Sequence, residues 1–339
     1  MKQVVCEQPD HFSLHVSAPI PERNTGEALV RVHHIGVCGT DLHAYKGRQP
    51  YFAYPRVLGH ELSGVIEEVC DDSAFQSGDR VTVMPYLYCD NCSACKRGRV
   101  NCCESLQVMG VHVDGGMQEW ITVPERHLIK VPEDIDLAHA SLIEPLSIGA
   151  HAIRRANLQK EDTVLVIGGG PIGLGVMAFA KEKGAHVIAM DMNERRLQFC
   201  QTWAQVDETI LAGDNPKEQL LAATGGLLPT TVLDATGNVS SMNQSFSYAS
   251  HGGQVVFVGL VKDHIHFYHP DVHKKELSLH MSRNATFEDF RNVMSSLENG
   301  SIDLSSYITH RAPLEEVPER FDQWLNPESE VIKAVIDVF

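Results

Sequence analysis

Along the chain, the spacing of apolar positions changes character near residue 147. Before that point apolar residues come in short runs. Ala28, Val30 and Val32 alternate with Leu29, Arg31 and His33, and GVIEEV (64–69) and DRVTVM (79–84) follow, punctuated by Gly36, Gly39, Gly47, Gly59 and Gly78. Alternation bounded by turn residues predicts β-strands, so this part is expected to be β-rich and loop-heavy. From Leu142 the pattern lengthens. A helix is predicted to Ala156, then TVLVIG (163–168), a helix to about Lys183, HVIAMD (186–191) and a helix from Glu194 to Ala204. TVLDATG (231–237) and GQVVFVG (253–259) are two further apolar strands. Continuous apolar strands separated by helices predict an α/β fold with a doubly wound parallel sheet. A helix over 286–299 and a strand-like tail, VIKAVIDVF, close the chain. The predicted division is 1–147, 148–284 and 285–339, with the last segment short enough to rejoin the first domain.

Composition narrows the function classes. With 339 residues and 43% hydrophobic positions, the chain is long enough for two domains with full cores. Its 28 Lys and Arg against 44 Asp and Glu give a net charge of −16. Such a chain is a poor binder of a nucleic-acid backbone or an anionic membrane, so a small-molecule partner is expected. Thr163–Ala180 is eighteen residues long without a charge, which reaches the length of a membrane span. Its five glycines and Pro171 favour a strand, a turn and a helix instead. The first residues, MKQVVCEQPDHF, lack the apolar segment of a secretory leader, so a cytoplasmic, reducing location is expected. There, nine cysteines point to metal or catalytic roles rather than disulfides.

The first candidate site is Gly168-Gly-Gly170-Pro171-Ile172-Gly173, directly after a predicted strand. In this G-x-G-x-x-G, Gly168 allows the tight turn, Gly170 lets the backbone approach a pyrophosphate, and Gly173 lets the helix pack on the strand. Pro171 suits a first helical turn, whose free N–H groups attract phosphate. The second strand ends at Asp191, eighteen residues beyond Gly173. A carboxylate there can accept the adenosine ribose hydroxyls and repels a 2′-phosphate, so NAD is favoured over NADP. Arg195 and Arg196 lie close enough in sequence to keep NADP open. Thr236 and the Val258-Gly259-Leu260 segment end later strands, where the nicotinamide half is expected.

Cys89-x2-Cys92-x2-Cys95-x7-Cys103 places four thiols in a turn-rich segment of about 86–104. Four thiolates so spaced can enclose one tetrahedral zinc ion as a closed structural site; an iron–sulfur cluster is the rival. Cys102 is adjacent in sequence to Cys103 and cannot ligate in the same geometry. A second group is weaker by spacing alone. Cys38 lies in GVCGTDLH (36–43), His60 and Glu61 in GHE (59–61), and Glu144 precedes Pro145, where a loop or turn is expected. Cys, His and carboxylate are zinc ligands, and a catalytic zinc keeps one position open. Adjacent side chains of an extended segment point to opposite sides, so His60 and Glu61 can ligate together only on an irregular backbone.

GVCGTDLH, GHE, the four-cysteine lobe and VIGGGPIGLG (166–175), in this order, resemble the zinc-dependent medium-chain alcohol and polyol dehydrogenases over essentially the whole chain. The resemblance implies a GroES-like catalytic domain built from both ends of the chain around an inserted Rossmann domain. It implies one catalytic and one structural zinc, NAD, and a homodimer or homotetramer. It makes Cys38 and His60 catalytic zinc ligands, and leaves open whether Glu61 or Glu144 completes them. It also implies that Thr40 contacts the substrate alcohol, that His43 ends a proton relay, and that Asp41 orients the group. YPRVLGHE (54–61), GVHVDGG (110–116), HGGQVVFVGL (251–260) and HKKELSLHMSRNATFEDF (273–290) further resemble bacterial sugar-acid dehydrogenases that oxidise C5 of L-galactonate or L-gulonate. A sugar acid carries a carboxylate, for which Arg283 and Asn284, then Arg48, Arg56, Lys274 and Lys275, are candidates. The alternatives are a sorbitol-, idonate- or threonine-type dehydrogenase, a zinc-free quinone reductase, and a non-catalytic dinucleotide-binding regulator.

Overall fold

The computed structural model describes residues 1–49 and 52–339. It divides the chain into two compact units, Met1–Pro145 with Thr286–Phe339, and Leu146–Ala285. The change of pattern near residue 147 falls inside helix Ile143–Ala156, which runs from the first unit into the second.

The first unit opens with the hairpin β1 (Gln3–Gln8) and β2 (His11–His15). Then come β3 (Glu27–Gly36), helix α1 (Gly39–Tyr45), β4 (Glu61–Glu68) and β5 (Arg80–Val83). The short pair β6 (Tyr86–Leu87) and β7 (Gln107–Val108) flanks helix α2 (Ser93–Lys96). Strands β8 (Trp120–Pro124) and β9 (Leu128–Lys130) and helix α3 (Leu137–Ala140) complete this stretch. Helix α4 (Ile143–Ala156) leads into the second unit.

That unit alternates β10 (Thr163–Ile167), α5 (Pro171–Glu182), β11 (His186–Asp191), α6 (Glu194–Trp203), β12 (Glu208–Leu211) and α7 (Pro216–Ala223). It continues through β13 (Thr231–Asp234), α8 (Val239–Tyr248), β14 (Gln254–Phe257), α9 (His269–Lys274) and β15 (Ser278–Met281). All neighbours pair in parallel, in the order β12-β11-β10-β13-β14-β15. The order reverses between β10 and β13, so the carboxyl ends of these two strands form the switch point at which such sheets bind ligands. The apolar faces of β10, β11, β13 and β14 supply Leu165, Ile167, Ile188, Val232 and Val255 to the core. The eighteen-residue uncharged run is β10, the glycine turn and part of α5. Among the described residues no helix is long and apolar enough to cross a membrane.

The chain then returns to the first unit through α10 (Phe287–Glu298), β16 (His310–Pro313), α11 (Val317–Leu325) and β17 (Ala334–Asp337). Strand β17 pairs antiparallel with β3, Val335 opposite Gly36, and extends the sheet to β16-β17-β3-β4-β5-β9, with β8 also on β3. Phe321 and Ile336 of the tail join Val30, Val32, Ile35, Leu62 and Ile66 in one core. Bulges at Leu29/Val30 and Val32/His34 explain why strict alternation fails along β3.

His127 is fully buried, and neither ring nitrogen has a hydrogen-bond partner among the described residues. Burial, with the Arg126 charge second, lowers its pKa to about 4. The unfolded value is near 6.5. The unfolded chain therefore binds the extra proton first, and stability falls as pH drops from about 6.5 towards 4. Against His127→Phe, the native protein is expected to lose an extra ~1–2 kcal/mol between pH 7.5 and pH 5, measured by urea denaturation. Equal losses in the two proteins would show that His127 carries no such penalty.

Candidate metal and dinucleotide sites

In the four-cysteine lobe, Cys89, Cys92, Cys95 and Cys103 bring their sulfur atoms within 4.8 Å of one another. All nine cysteines are free thiols, and Cys102 is exposed, its sulfur 3.9 Å from the Arg99 guanidinium. Backbone N–H groups point into the cluster. Those of Asn91 and Cys92 donate to Cys89 Sγ at 3.4 Å, that of Cys95 to Cys92 Sγ at 3.5 Å, and that of Cys89 to Cys103 Sγ at 3.4 Å. The amides of Asn91 and Cys92 hold the Cys89 thiol down at about 6, whereas burial pushes Cys95 up to about 12. Four soft donors, with amides placed to stabilise thiolates, fit a tetrahedral zinc.

The second group is built by two turns and a helix start. Cys38 immediately precedes α1, and Asp41 in its first turn accepts the Cys38 N–H at 2.9 Å. The other Asp41 oxygen accepts the Gly59 N–H at 3.2 Å, tying the two ligand-bearing loops together. Gly59 has φ 91°, and β4 begins only at Glu61. This left-handed turn is the irregular backbone that lets neighbouring His60 and Glu61 converge with Cys38, their donor atoms within 4.8 Å. A side chain at Gly36 would overlap the Glu61 carboxylate, so that position has to be glycine. His60 Nδ1 is buried and takes no hydrogen bond among the described residues, whereas the Glu61 carboxylate is met by the Lys333 ammonium. A buried ring nitrogen without a partner is costly, and an ion is what would satisfy it. Burial alone would lower the His60 pKa, but the charges of Asp41 and Cys38 outweigh it and hold it well above the ordinary range. This excess of anionic donors around one imidazole is the charge balance of a site for a divalent cation.

Glu144 is not in a loop. It occupies the first turn of α4, where the N–H that Pro145 lacks would have no helical partner anyway. It is buried, Tyr86 Oη donates to its Oε1, and burial raises its pKa to about 7 despite the opposing His60 charge. Glu61, not Glu144, is thus the carboxylate gathered with Cys38 and His60. Tyr86 was not foreseen, and neither was Lys333, whose buried ammonium lies 2.6 Å from Glu61 Oε1. Thr40 and His43 are three residues apart on α1 and so share a face, the first half-buried and the second exposed.

The second unit assembles the dinucleotide candidates at the switch point. Gly168 (φ 103°) follows β10, Gly170 caps α5, and Pro171 and Ile172 form its first turn. A side chain at Gly173 would overlap the Gly168 carbonyl. Asp191 Oδ2 accepts the Gly169 N–H at 2.6 Å and Oδ1 the Asn193 N–H at 2.8 Å. Arg196 is exposed on α6, and its Cβ flanks Gly169. Buried Asp234 ends β13 and accepts both the N–H and the hydroxyl of Thr236, at 2.9 and 2.6 Å. The Val258 and Gly259 N–H groups reach the Asp234 carbonyl at 2.9 and 3.1 Å, and Leu260 projects into solvent, 69% exposed.

The carboxylate-binding candidates fare differently. Lys275 is excluded. Its buried ammonium donates to the carbonyls of Ala249, Phe246 and Ser247 at 2.7–3.3 Å, closing the end of α8. Arg56 pairs with Asp114 at 3.1 Å and Lys274 with Asp271 at 2.8 Å. Arg48 and Arg283 are exposed. Asn284 sits in a left-handed turn (φ 53°), its amide nitrogen buried without a hydrogen bond among the described residues.

Fold and site together define a two-unit zinc dehydrogenase with a GroES-like and a Rossmann part. Residues 24–133 match the alcohol dehydrogenase GroES-like domain and residues 171–299 the zinc-binding dehydrogenase family. The chain is 42% identical over 337 residues to L-galactonate-5-dehydrogenase of Escherichia coli K12, covering 99% of this chain and 98% of that protein. It is 31% identical to 2-dehydro-3-deoxy-L-galactonate 5-dehydrogenase of Pseudoalteromonas atlantica, with 95% and 94% covered. The crystal structure of the alcohol dehydrogenase RspB of Escherichia coli CFT073, complexed with NADH, superposes with a TM-score of 0.93 at 31% identity, covering 100% of this chain and 99% of that one. The chain belongs to the zinc-type alcohol dehydrogenases, in the group that includes polyol and sugar-acid dehydrogenases.

Cys95→Ser is expected to remove one of two zinc equivalents per chain and leave the other, by elemental analysis. Retention of both would place the lobe outside zinc binding.

Proposed function

We propose that the protein oxidises a secondary alcohol of a sugar acid, the C5 hydroxyl of L-galactonate or L-gulonate, with NAD⁺ as acceptor, giving the keto acid. The observation that carries the chemistry is the convergence of half-buried Cys38 with buried His60 and Glu61, where Cys38 directly precedes the helix α1 that carries Thr40 and His43. The substrate class rests on the 42% identity to a L-galactonate-5-dehydrogenase over nearly the full length.

Cys38, His60 and Glu61 would hold zinc, with Glu144 buried beside them on Tyr86. When bound there, the ion would supply a Lewis acid that makes the alcohol proton easier to remove, and a bound dinucleotide would supply the hydride acceptor. Thr40 accepts the alcohol proton at its hydroxyl oxygen as it gives up its own, which passes by way of the cofactor ribose to a ring nitrogen of His43, one helical turn on and exposed, and from there to water. Asp41 holds the loops of Cys38 and His60 at a fixed separation through its two N–H contacts. Gly168 makes the turn, Gly170 lets the backbone approach the pyrophosphate, Gly173 packs the helix on the strand, and Asp191 receives the adenosine ribose.

Two measurements test this. Across L-galactonate, L-gulonate, L-idonate, sorbitol and L-threonine, NADH formation is expected to be fastest on a L-hexonate and poor on sorbitol. Turnover confined to polyols or threonine would keep the zinc chemistry and discard the sugar acid. No turnover with NADH still bound would favour a regulator. For the cofactor, Asp191→Ala is expected to lower the NAD⁺ over NADP⁺ preference in kcat/KM by about tenfold or more, since the charge that repels a 2′-phosphate is gone. An unchanged ratio would mean that Asp191 only braces Gly169.

A further inference from the structure

Lys333 is the most deeply buried cation among the described residues, 2% exposed, and comes from the far end of the chain. It immediately precedes β17, and its own backbone is fixed: the Thr309 and His310 N–H groups donate to its carbonyl at 2.9 and 3.1 Å. Its ammonium makes two kinds of contact. It donates to the Val37 carbonyl at 2.9 Å, one residue before Cys38. It also donates to Glu61 Oε1 at 2.6 Å and lies 2.5 Å from Oε2, one residue after His60. The next peptide adds a third tie, Val37 N–H to the Ala334 carbonyl at 3.0 Å. One buried charge therefore grips both segments that carry the metal donors. Gly36 closes the space on the carboxylate itself.

A lysine is a costly residue to bury unless its charge is used. Here neighbouring strands alone would hold β3 to β17, so sheet pairing does not require a cation at this place. What the ammonium adds is a fixed orientation for Glu61 and a positive charge beside a cluster of anionic donors. We infer that Lys333 is a positioning residue for the metal group: it holds Glu61 in place with Cys38 and His60, so that the C-terminal segment, 272 residues away in sequence, completes the site. This rests on the reading of Cys38, His60 and Glu61 as a zinc group.

The experiment is zinc release from the purified, zinc-loaded enzyme to a chromogenic chelator, with the four-cysteine lobe as internal reference. The native protein is expected to carry two zinc ions per chain. In Lys333→Met one of them is expected to leave about 10- to 100-fold faster, the usual effect of removing a partner that orients a ligand, while the lobe zinc leaves at the native rate. Because Lys333→Met strands a buried carboxylate and can fail to fold, the pair Glu61→Gln and Glu61→Gln/Lys333→Met is measured beside it. If Lys333 acts through Glu61, the double variant releases zinc no faster than Glu61→Gln alone. Native-like release from Lys333→Met, or a further acceleration in the double variant, would overturn the proposal and leave Lys333 a strut of the sheet. A native protein holding only the lobe zinc would overturn the metal-group reading itself, whatever the variants do.

Discussion

Three carboxylates in the first unit, those of Asp41, Glu61 and Glu144, are taken almost wholly out of water, at 0%, 0% and 4% exposure. Ionised carboxylates cannot be buried without compensation, and the local structure follows from how each is compensated. Asp41 is met by two backbone N–H groups, Glu61 by the Lys333 ammonium, and Glu144 by the Tyr86 hydroxyl. Each partner comes from a different part of the chain, so the sheet, the loop ends and the returning tail must all be in place before the group exists. A metal centre built this way is a product of the completed fold, unlike the four-cysteine lobe, whose donors and amides lie within fifteen consecutive residues.

The second unit meets a different demand with different means. A pyrophosphate needs backbone N–H groups and room, not buried charge. Its decisive positions are accordingly glycines and strand ends, set by the reversal of strand order between β10 and β13. Side chains there mainly brace the backbone, and the cofactor candidates are mostly half-exposed rather than buried.

This difference governs what could be read from the sequence. The glycine turn and the lobe are local patterns, and β10, β11, β13 and β14 are strongly apolar, so all were legible. The edge strands β12 and β15 were not, because they are four residues long and largely exposed, and an exposed strand has no apolar run to reveal it. Lys333 and Tyr86 were invisible for another reason. Their partners lie 272 and 58 residues away, and nothing local distinguishes a buried lysine from a surface one. Lys275 misled in the same way: in a motif suggestive of substrate binding, its ammonium closes a helix. The helical Glu144 shows that a proline following a residue predicts a boundary, not which side of it the residue falls on.

A shared device links the two units. Asp41, Asp191 and Asp234 each sit where a functional loop leaves its element, and each accepts a backbone N–H from that loop: Cys38 and Gly59, Gly169 and Asn193, and Thr236. An aspartate is short enough to reach back to its own loop and, when ionised, makes the stronger class of hydrogen bond to an amide. It therefore fixes loop backbone without a regular element to support it. At Asp191 this has a chemical consequence. With one oxygen on Gly169 and the other on Asn193, the carboxylate cannot rotate away from an approaching ribose. In the proposed reading, a 2′-phosphate would meet a negative charge held in place by the same two hydrogen bonds that shape the glycine turn.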